Sequence, residues 1–185
     1  WALERLPKKL VVLGGGPIGY ELSQCFSRLG SEVTQIEQSP NILSREDNDV
    51  SDLVKNIFEK EGIKVLSEHK AKEVIIDDNK KYLICETNGK KEKIEFDEIL
   101  ISVGRRPNTK GFGLEEIGVE LDERNNIKTN ALLQTNYKNI FVCGDVVGPY
   151  QFTHVAGYQA WYAAVNSLFR PFAKIKTNYS VIPWA

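Results

Sequence analysis

The sequence predicts an α/β chain in which a parallel sheet is interrupted by an inserted antiparallel β-meander. Three observations carry this. The apolar run "LVVL" at residues 10–13 stops at three glycines and gives way to helical spacing. A second strand, helix and strand follow it at once, and Asn88-Gly89 then sits between two extended runs.

Taken in order, "LVVL" is a continuous β-branched and aliphatic run that suits a strand buried on both faces of a parallel sheet. From Pro17 the residues Ile18, Leu22, Cys25, Phe26 and Leu29 recur at helical spacing. Pro17 stands in the first turn and Gly30 is the stop. "EVTQIE" gives a second strand ending at Glu37, and Ser39-Pro40 opens a loop. A second helix is expected from about Asn48 to Lys60, carried by Val50, Leu53, Val54, Ile57 and Phe58 and closed by Gly62. "IKVL" completes a β-α-β-α-β unit. Short strands joined by turns follow through "EVIID", "DNK", "YLICET", "NG" and "KKEKIEF". Asn-Gly favours a tight hairpin because both central residues must take positive φ. "EILISVG" then returns to the sheet and ends at Gly104.

The polar, Pro- and Gly-bearing stretch "RRPNTKGFGLEEIG" places a boundary near residues 103–106. "NIKTNALLQTNYKNIFVCGD" reads as two further extended pieces. "THVAGYQAWYAAVNSLF" reads as a helix apolar nearly all round, which is expected to be buried.

Composition excludes several classes of partner. With 24 basic and 25 acidic residues the net charge is -1, so no large field favours nucleic acid or an anionic membrane. No apolar run reaches the roughly 18 residues a spanning helix needs, and the N-terminus lacks a signal-peptide layout, so a cytoplasmic setting is expected. Cys25, Cys85 and Cys143 lie too far apart for a disulfide framework or metal spacing and are expected to be buried structural thiols. The chain starts at Trp1 and contains no methionine, which suggests a piece of a longer protein.

Gly14, Gly16 and Gly19 satisfy G-x-G-x-x-G between a strand and a helix, with Glu37 at the end of the next strand. That is the context a Rossmann dinucleotide site requires. Gly14 permits the turn, Gly16 lets the backbone approach a pyrophosphate, and Gly19 lets helix and strand pack closely. The positive end of the helix at Pro17 and Ile18, with its free amides, then meets phosphate charge. Glu37 suits the ribose hydroxyls and repels a 2′-phosphate. No Arg or Lys occurs from residue 38 to 44, so NAD is expected over NADP.

Four segments resemble a known family. "VVLGGGPIGYELSQCFSRLGSEVTQIE", "ILISVGRRPNT", "TNYKNIFVCGDVVG" and "FTHVAGYQA" are similar, in the right order, to segments of the FAD-dependent pyridine nucleotide-disulfide oxidoreductases, in particular the dihydrolipoamide dehydrogenase and mercuric reductase branch. The resemblance implies an NAD-binding Rossmann domain at residues 1–103, the second part of a split FAD-binding domain at 104–172, and the start of a dimerisation domain at 173–185. It implies NAD contacts from Gly14 through Gly19, Glu37, Val74 and Gly104, and a place for Glu21 near the nicotinamide and flavin. Arg105 is assigned to the loop and its phosphate neighbourhood. Gly144 and Asp145 match the second flavin motif, while Thr153 and His154 match the helix start under the flavin pyrimidine ring. Pro17 stands where some members carry a tyrosine. The family's paired redox cysteines, its other glycine fingerprint and its catalytic histidine and glutamate match nothing in this chain.

The function so implied is passage of hydride from NADH to FAD and on to a small-molecule or protein disulfide, in a full-length homodimer. The fragment alone is expected to be inactive and to hold FAD poorly. A flavin reductase or NADH oxidase without a redox disulfide, and a non-catalytic NAD-binding module, are the alternatives.

Overall fold

A computed structural model describes residues 3–169, 172 and 174–183. Two compact units divide at Gly104 and Arg105. Ala173, where the third expected segment begins, lies outside the described residues.

In the first unit, β1 (Lys9–Leu13), α1 (Pro17–Arg28), β2 (Glu32–Ile36), α2 (Asn48–Lys60) and β3 (Lys64–Leu66) alternate as expected. After them come β4 (Lys70–Asp77), β5 (Lys80–Thr87), β6 (Lys90–Phe96) and β7 (Glu98–Ile101). The parallel sheet has the order β3-β2-β1-β7, and β4-β5-β6 form a separate antiparallel sheet. Strand periodicity decides what each face carries. Leu10, Val12 and Val33 pack with Phe58 and Ile63, together with Tyr20 and Phe26 of α1. Val11 and Ile36, on the other face, pack with Leu83, Cys85, Ile94 and Phe96 of the meander. Helices thus cover one face of the parallel sheet and the meander covers the other.

Both meander hairpins turn on residue pairs with positive φ, Asp78-Asn79 and Asn88-Gly89. This backbone twist matches that of the flanking strands.

Both helices of this unit are rotated from what their apolar spacing suggested. On α1 the buried residues are Gly19 and Ser23, whereas Ile18, Cys25 and Leu29 face solvent. The cause is close approach: a Cβ on Gly19 would collide with the carbonyl oxygen of Gly14, so the point nearest the strand takes glycine while Tyr20 and Phe26 pack beside it. On α2, Ser51 and Phe58 are buried while Val50, Leu53 and Ile57 are exposed. Ser51 Oγ donates to Ile42 O at 2.6 Å, which fixes that face inward.

Among the described residues the second unit has one long helix, α3 (Thr153–Phe169), among turns. The two extended pieces expected at residues 126–145 form no strand. They contribute only isolated bridges, Leu121 with Ile127 and Gln134 with Phe141. Side chains that cap backbone amides interrupt the ladder. Asp122 Oδ1 accepts from the amides of Arg124 and Asn126, and Asn130 Oδ1 accepts from those of Leu132 and Gln134. Nor is α3 buried all round. Val155, Gln159, Ala163 and Asn166 face inward, and Trp161, Leu168 and Phe169 are exposed. Of the three thiols only Cys85 is buried; Cys25 and Cys143 are exposed, against expectation, because each sits on the outer side of its segment.

Candidate functional site

The glycine turn between β1 and α1 is built from both sides. Gly14 takes φ +109, and a Cβ there would lie 2.5 Å from Ser102 O, so both its conformation and its surroundings demand glycine. Gln35 Nε2 donates to Gly14 O at 3.2 Å, and Ser102 Oγ lies 2.9 Å from Leu13 O and 3.4 Å from Gly14 O. Gly16 differs in kind. Its φ of -76° suits any residue, and a Cβ built on it meets nothing within 4 Å. It is therefore an open approach to the first turn of α1, whose unpaired amides and positive dipole end suit an anion.

Glu37 closes the same site. Its Oε2 accepts from the Gly15 amide at 2.6 Å and its Oε1 accepts from the Ser39 amide at 2.7 Å. Both are charge-assisted bonds of the stronger class. Its backbone is held as well, with Glu37 N donating to Leu66 O and His69 N donating to Glu37 O. A carboxylate oxygen has two acceptor positions, so each oxygen keeps one free for a hydroxyl. The turn, the open Gly16 and the oriented carboxylate could hold a dinucleotide.

Other expected nucleotide residues are placed but not joined to this cluster. Glu21 lies on the solvent side of α1, so its carboxylate carries no burial cost. Val74 is exposed on β4, and Gly104 takes φ +116 after β7. Pro17 and Ile18 begin α1, with Ile18 exposed.

In the second unit, Asp145 Oδ2 pairs with Arg105 Nη1 at 3.2 Å, both side chains about half exposed. Gly144 takes φ +86 and donates its amide to Gln159 Oε1 at 2.6 Å. Thr153 is the first residue of α3. His154 follows it with its ring stacked on Phe152, centroids 5.3 Å apart and planes 13° apart. Gly144, Asp145 and Arg105 are thus brought together, and Gln159 of α3 is joined to them.

Sequence reasoning passed over Gln35, Ser39, Ser102 and Gln159. A signal existed for Gln35, a polar residue alternating with Val33 on the face that should be buried. Gln159 was visible only as a polar residue in an apolar helix.

A family profile for pyridine nucleotide-disulphide oxidoreductases matches residues 1–160, most of the chain and both clusters just described. The chain belongs to that family. Among its family relatives, the dihydrolipoyl dehydrogenase of Thermus scotoductus is 42% identical over 166 residues, covering 89% of this chain and 36% of the relative. That of Chlamydia trachomatis is 38% identical over 181 residues, covering 98% of this chain and 37% of the relative. The fold is shared with the HOCl-induced flavoprotein disulfide reductase RclA of Escherichia coli, solved as a Cu(II) complex, at TM-score 0.82 and 30% identity; the match covers 90% of this chain and 37% of RclA. LpdA of Mycobacterium tuberculosis superposes at TM-score 0.81 with 26% identity, covering 94% of this chain and 37% of that one. The chain therefore spans little more than a third of the length of the family members it matches. Among the described residues no helix is long and apolar enough to cross a membrane, and no group of His, Cys, Asp and Glu could hold a metal ion.

Proposed function

We propose that the first unit is the NADH-binding portion of a flavoprotein oxidoreductase and that the second unit supplies part of its flavin site. In the complete protein electrons pass from NADH through FAD to a disulfide or related acceptor. The observation that carries the reading is the Glu37 carboxylate held between the amides of Gly15 and Ser39, with no basic residue from 38 to 44.

The preference for NADH over NADPH follows from charge. Two like unit charges about 5 Å apart at an effective dielectric of about 20 repel by roughly 3 kcal/mol. No nearby cation in that segment offsets it. When bound, the dinucleotide supplies a hydride and the flavin accepts it. This chain's residues bind and orient. Gly14 and Gly19 set the turn, Gly16 leaves the phosphate approach clear, the start of α1 meets the phosphate charge, and Glu37 receives ribose hydroxyls. Val74, Gly104 and Glu21 are assigned to the adenine side, the nicotinamide turn and the neighbourhood of the nicotinamide. In the second unit Asp145 would receive a flavin sugar hydroxyl in place of the Arg105 guanidinium. The α3 start at Thr153 and His154 would stabilise negative charge on the reduced ring.

Calorimetric titration of the 185-residue chain with NADH and NADPH tests the reading. NADH should bind at least about tenfold more tightly, a difference of about 1.4 kcal/mol. Equal affinities, or a preference for NADPH, would sink it.

A further inference from the structure

Gln159 lies on the inner face of α3 with none of its surface exposed. A buried amide is costly unless both its ends are paired, so its partners reveal what it is for. Oε1 accepts the amide hydrogen of Gly144 at 2.6 Å, and Nε2 donates to the Tyr179 hydroxyl at 3.0 Å. Gly144 stands in positive φ, directly before Asp145. A Cβ on Gly144 would come within 3.6 Å of Ala156, so the turn already lies against this face of α3. Two further bonds shape the turn, from Val147 N to Gly144 O and from Gly148 N to Asp145 O.

Tyr179 is itself seated. Its ring lies 5.4 Å from that of Tyr150 and 6.2 Å from that of Tyr158. The Tyr158 hydroxyl also bonds to the backbone of Asn178, the residue before it.

We propose that Gln159 is a positioning residue for the flavin site: its buried amide fixes the Gly144–Asp145 turn and ties the setting of that turn to the seating of Tyr179. This rests on Asp145 being a flavin-binding carboxylate. The residue type follows from the geometry. One neutral group must accept from a backbone amide on one side and donate to a hydroxyl on the other, and an amide does both. A carboxylate would accept from Gly144 but would place a buried negative charge close to Asp145.

The test measures amide hydrogen exchange at Gly144 in the 185-residue chain and FAD affinity in the complete flavoprotein. Gln159→Leu removes both bonds at similar volume and leaves a buried amide hydrogen unpaired. Exchange at Gly144 should speed up and FAD affinity should fall, each by about tenfold. Gln159→Glu restores an acceptor, so Gly144 should return to within about threefold of its original exchange rate. Tyr179→Phe should raise Gly144 exchange by about threefold, because the amide loses its second anchor. A mere packing role predicts the opposite order, with the buried charge of Gln159→Glu more damaging than Gln159→Leu; that order, or unchanged Gly144 exchange in Gln159→Leu, overturns the proposal. Asp145→Ala is the control for the flavin reading. If it leaves FAD affinity unchanged, the reading itself fails, whatever Gly144 does.

Discussion

The carboxylate of Glu37 accepts a 2.6 Å hydrogen bond from the amide of Gly15, twenty-two residues earlier, inside the glycine turn. The acidic residue at the end of β2 is therefore part of the turn's own structure as well as the proposed receiver of ribose hydroxyls. Glu37→Ala should weaken NADH binding by about tenfold, and it should also lower stability by about 1.5–3 kcal/mol, because two amides lose a charged acceptor. Calorimetry and urea unfolding measure the two effects separately. A binding loss with no change in unfolding midpoint would show that the contacts to Gly15 and Ser39 contribute nothing to the fold.

Gly16 and Gly19 should respond oppositely to alanine. At Gly19 the added methyl group collides with the Gly14 carbonyl, a backbone atom that cannot swing aside. Overpacking of this kind costs about 1–3 kcal/mol. At Gly16 the same methyl group meets nothing and the backbone is unstrained, so stability should stay within about 0.5 kcal/mol. NADH affinity should nonetheless fall at least about tenfold, because the methyl group stands in the phosphate approach. Thermal melts paired with titrations of Gly16→Ala and Gly19→Ala decide this.

The three thiols should divide two to one. Burial, and then the nearby Glu92 charge, push the Cys85 thiol up to about 11, while Cys25 and Cys143 are exposed. Thiolate is the reactive species. A chromogenic disulfide reagent at pH 8 should therefore titrate two thiols in the native protein and the third only after denaturant is added. Three fast thiols without denaturant would contradict the packing of β5 against the parallel sheet.

Acid should act through Glu92. Its carboxyl is held below the usual carboxylate range, first by the hydrogen bond from His69, with Lys64 adding to the effect. A depressed folded value means the stabilisation is complete above the unfolded value, near 4.5, and is lost as pH falls through the folded one. Urea midpoints of Glu92→Gln should therefore lie below those of the parent at pH 6 and converge with them as pH falls through the depressed folded value. Parallel curves across that range would remove Glu92 from the acid response.

Much of the first unit was legible because its signals are local. A buried strand, a glycine turn, a helix opened by Pro17 and stopped by Gly30, and an Asn-Gly hairpin each announce themselves within a dozen residues, and the bounds of α2 match those expected. The facing of the helices was not legible. Apolar spacing pointed Ile18, Cys25 and Leu29 inward on α1, but helix and strand come closest at the Gly19 contact with Gly14, which leaves Gly19 and Ser23 buried, Tyr20 and Phe26 packed beside them, and those three residues outside. The second unit was harder for a related reason. Its extended segments look like strands residue by residue, yet Asp122 and Asn130 spend their side chains on nearby amides and turn the chain before a ladder can form. Of the candidate sites, the glycines and Glu37 were readable from spacing. Gln35 and Gln159 showed only as polar residues among apolar ones, with no sign of their partners, and Ser102 not at all, because it acts on Leu13 across a separation that no short motif records.

The pairing of β1 with β7 carries a consequence for how the protein is made. Leu10 through Leu13 find their second neighbour only in Glu98 through Ile101, after the whole meander, and Ser102 then donates its amide to Leu13 O. During synthesis the glycine turn leaves the ribosome early, but the residue that buttresses it is among the last of its unit to emerge. Long-range closures of this kind are slow. Nascent chains halted before residue 98 should therefore fail to bind a dinucleotide, although the fingerprint itself has long been exposed, and competence should arrive abruptly once Ser102 has cleared the exit tunnel.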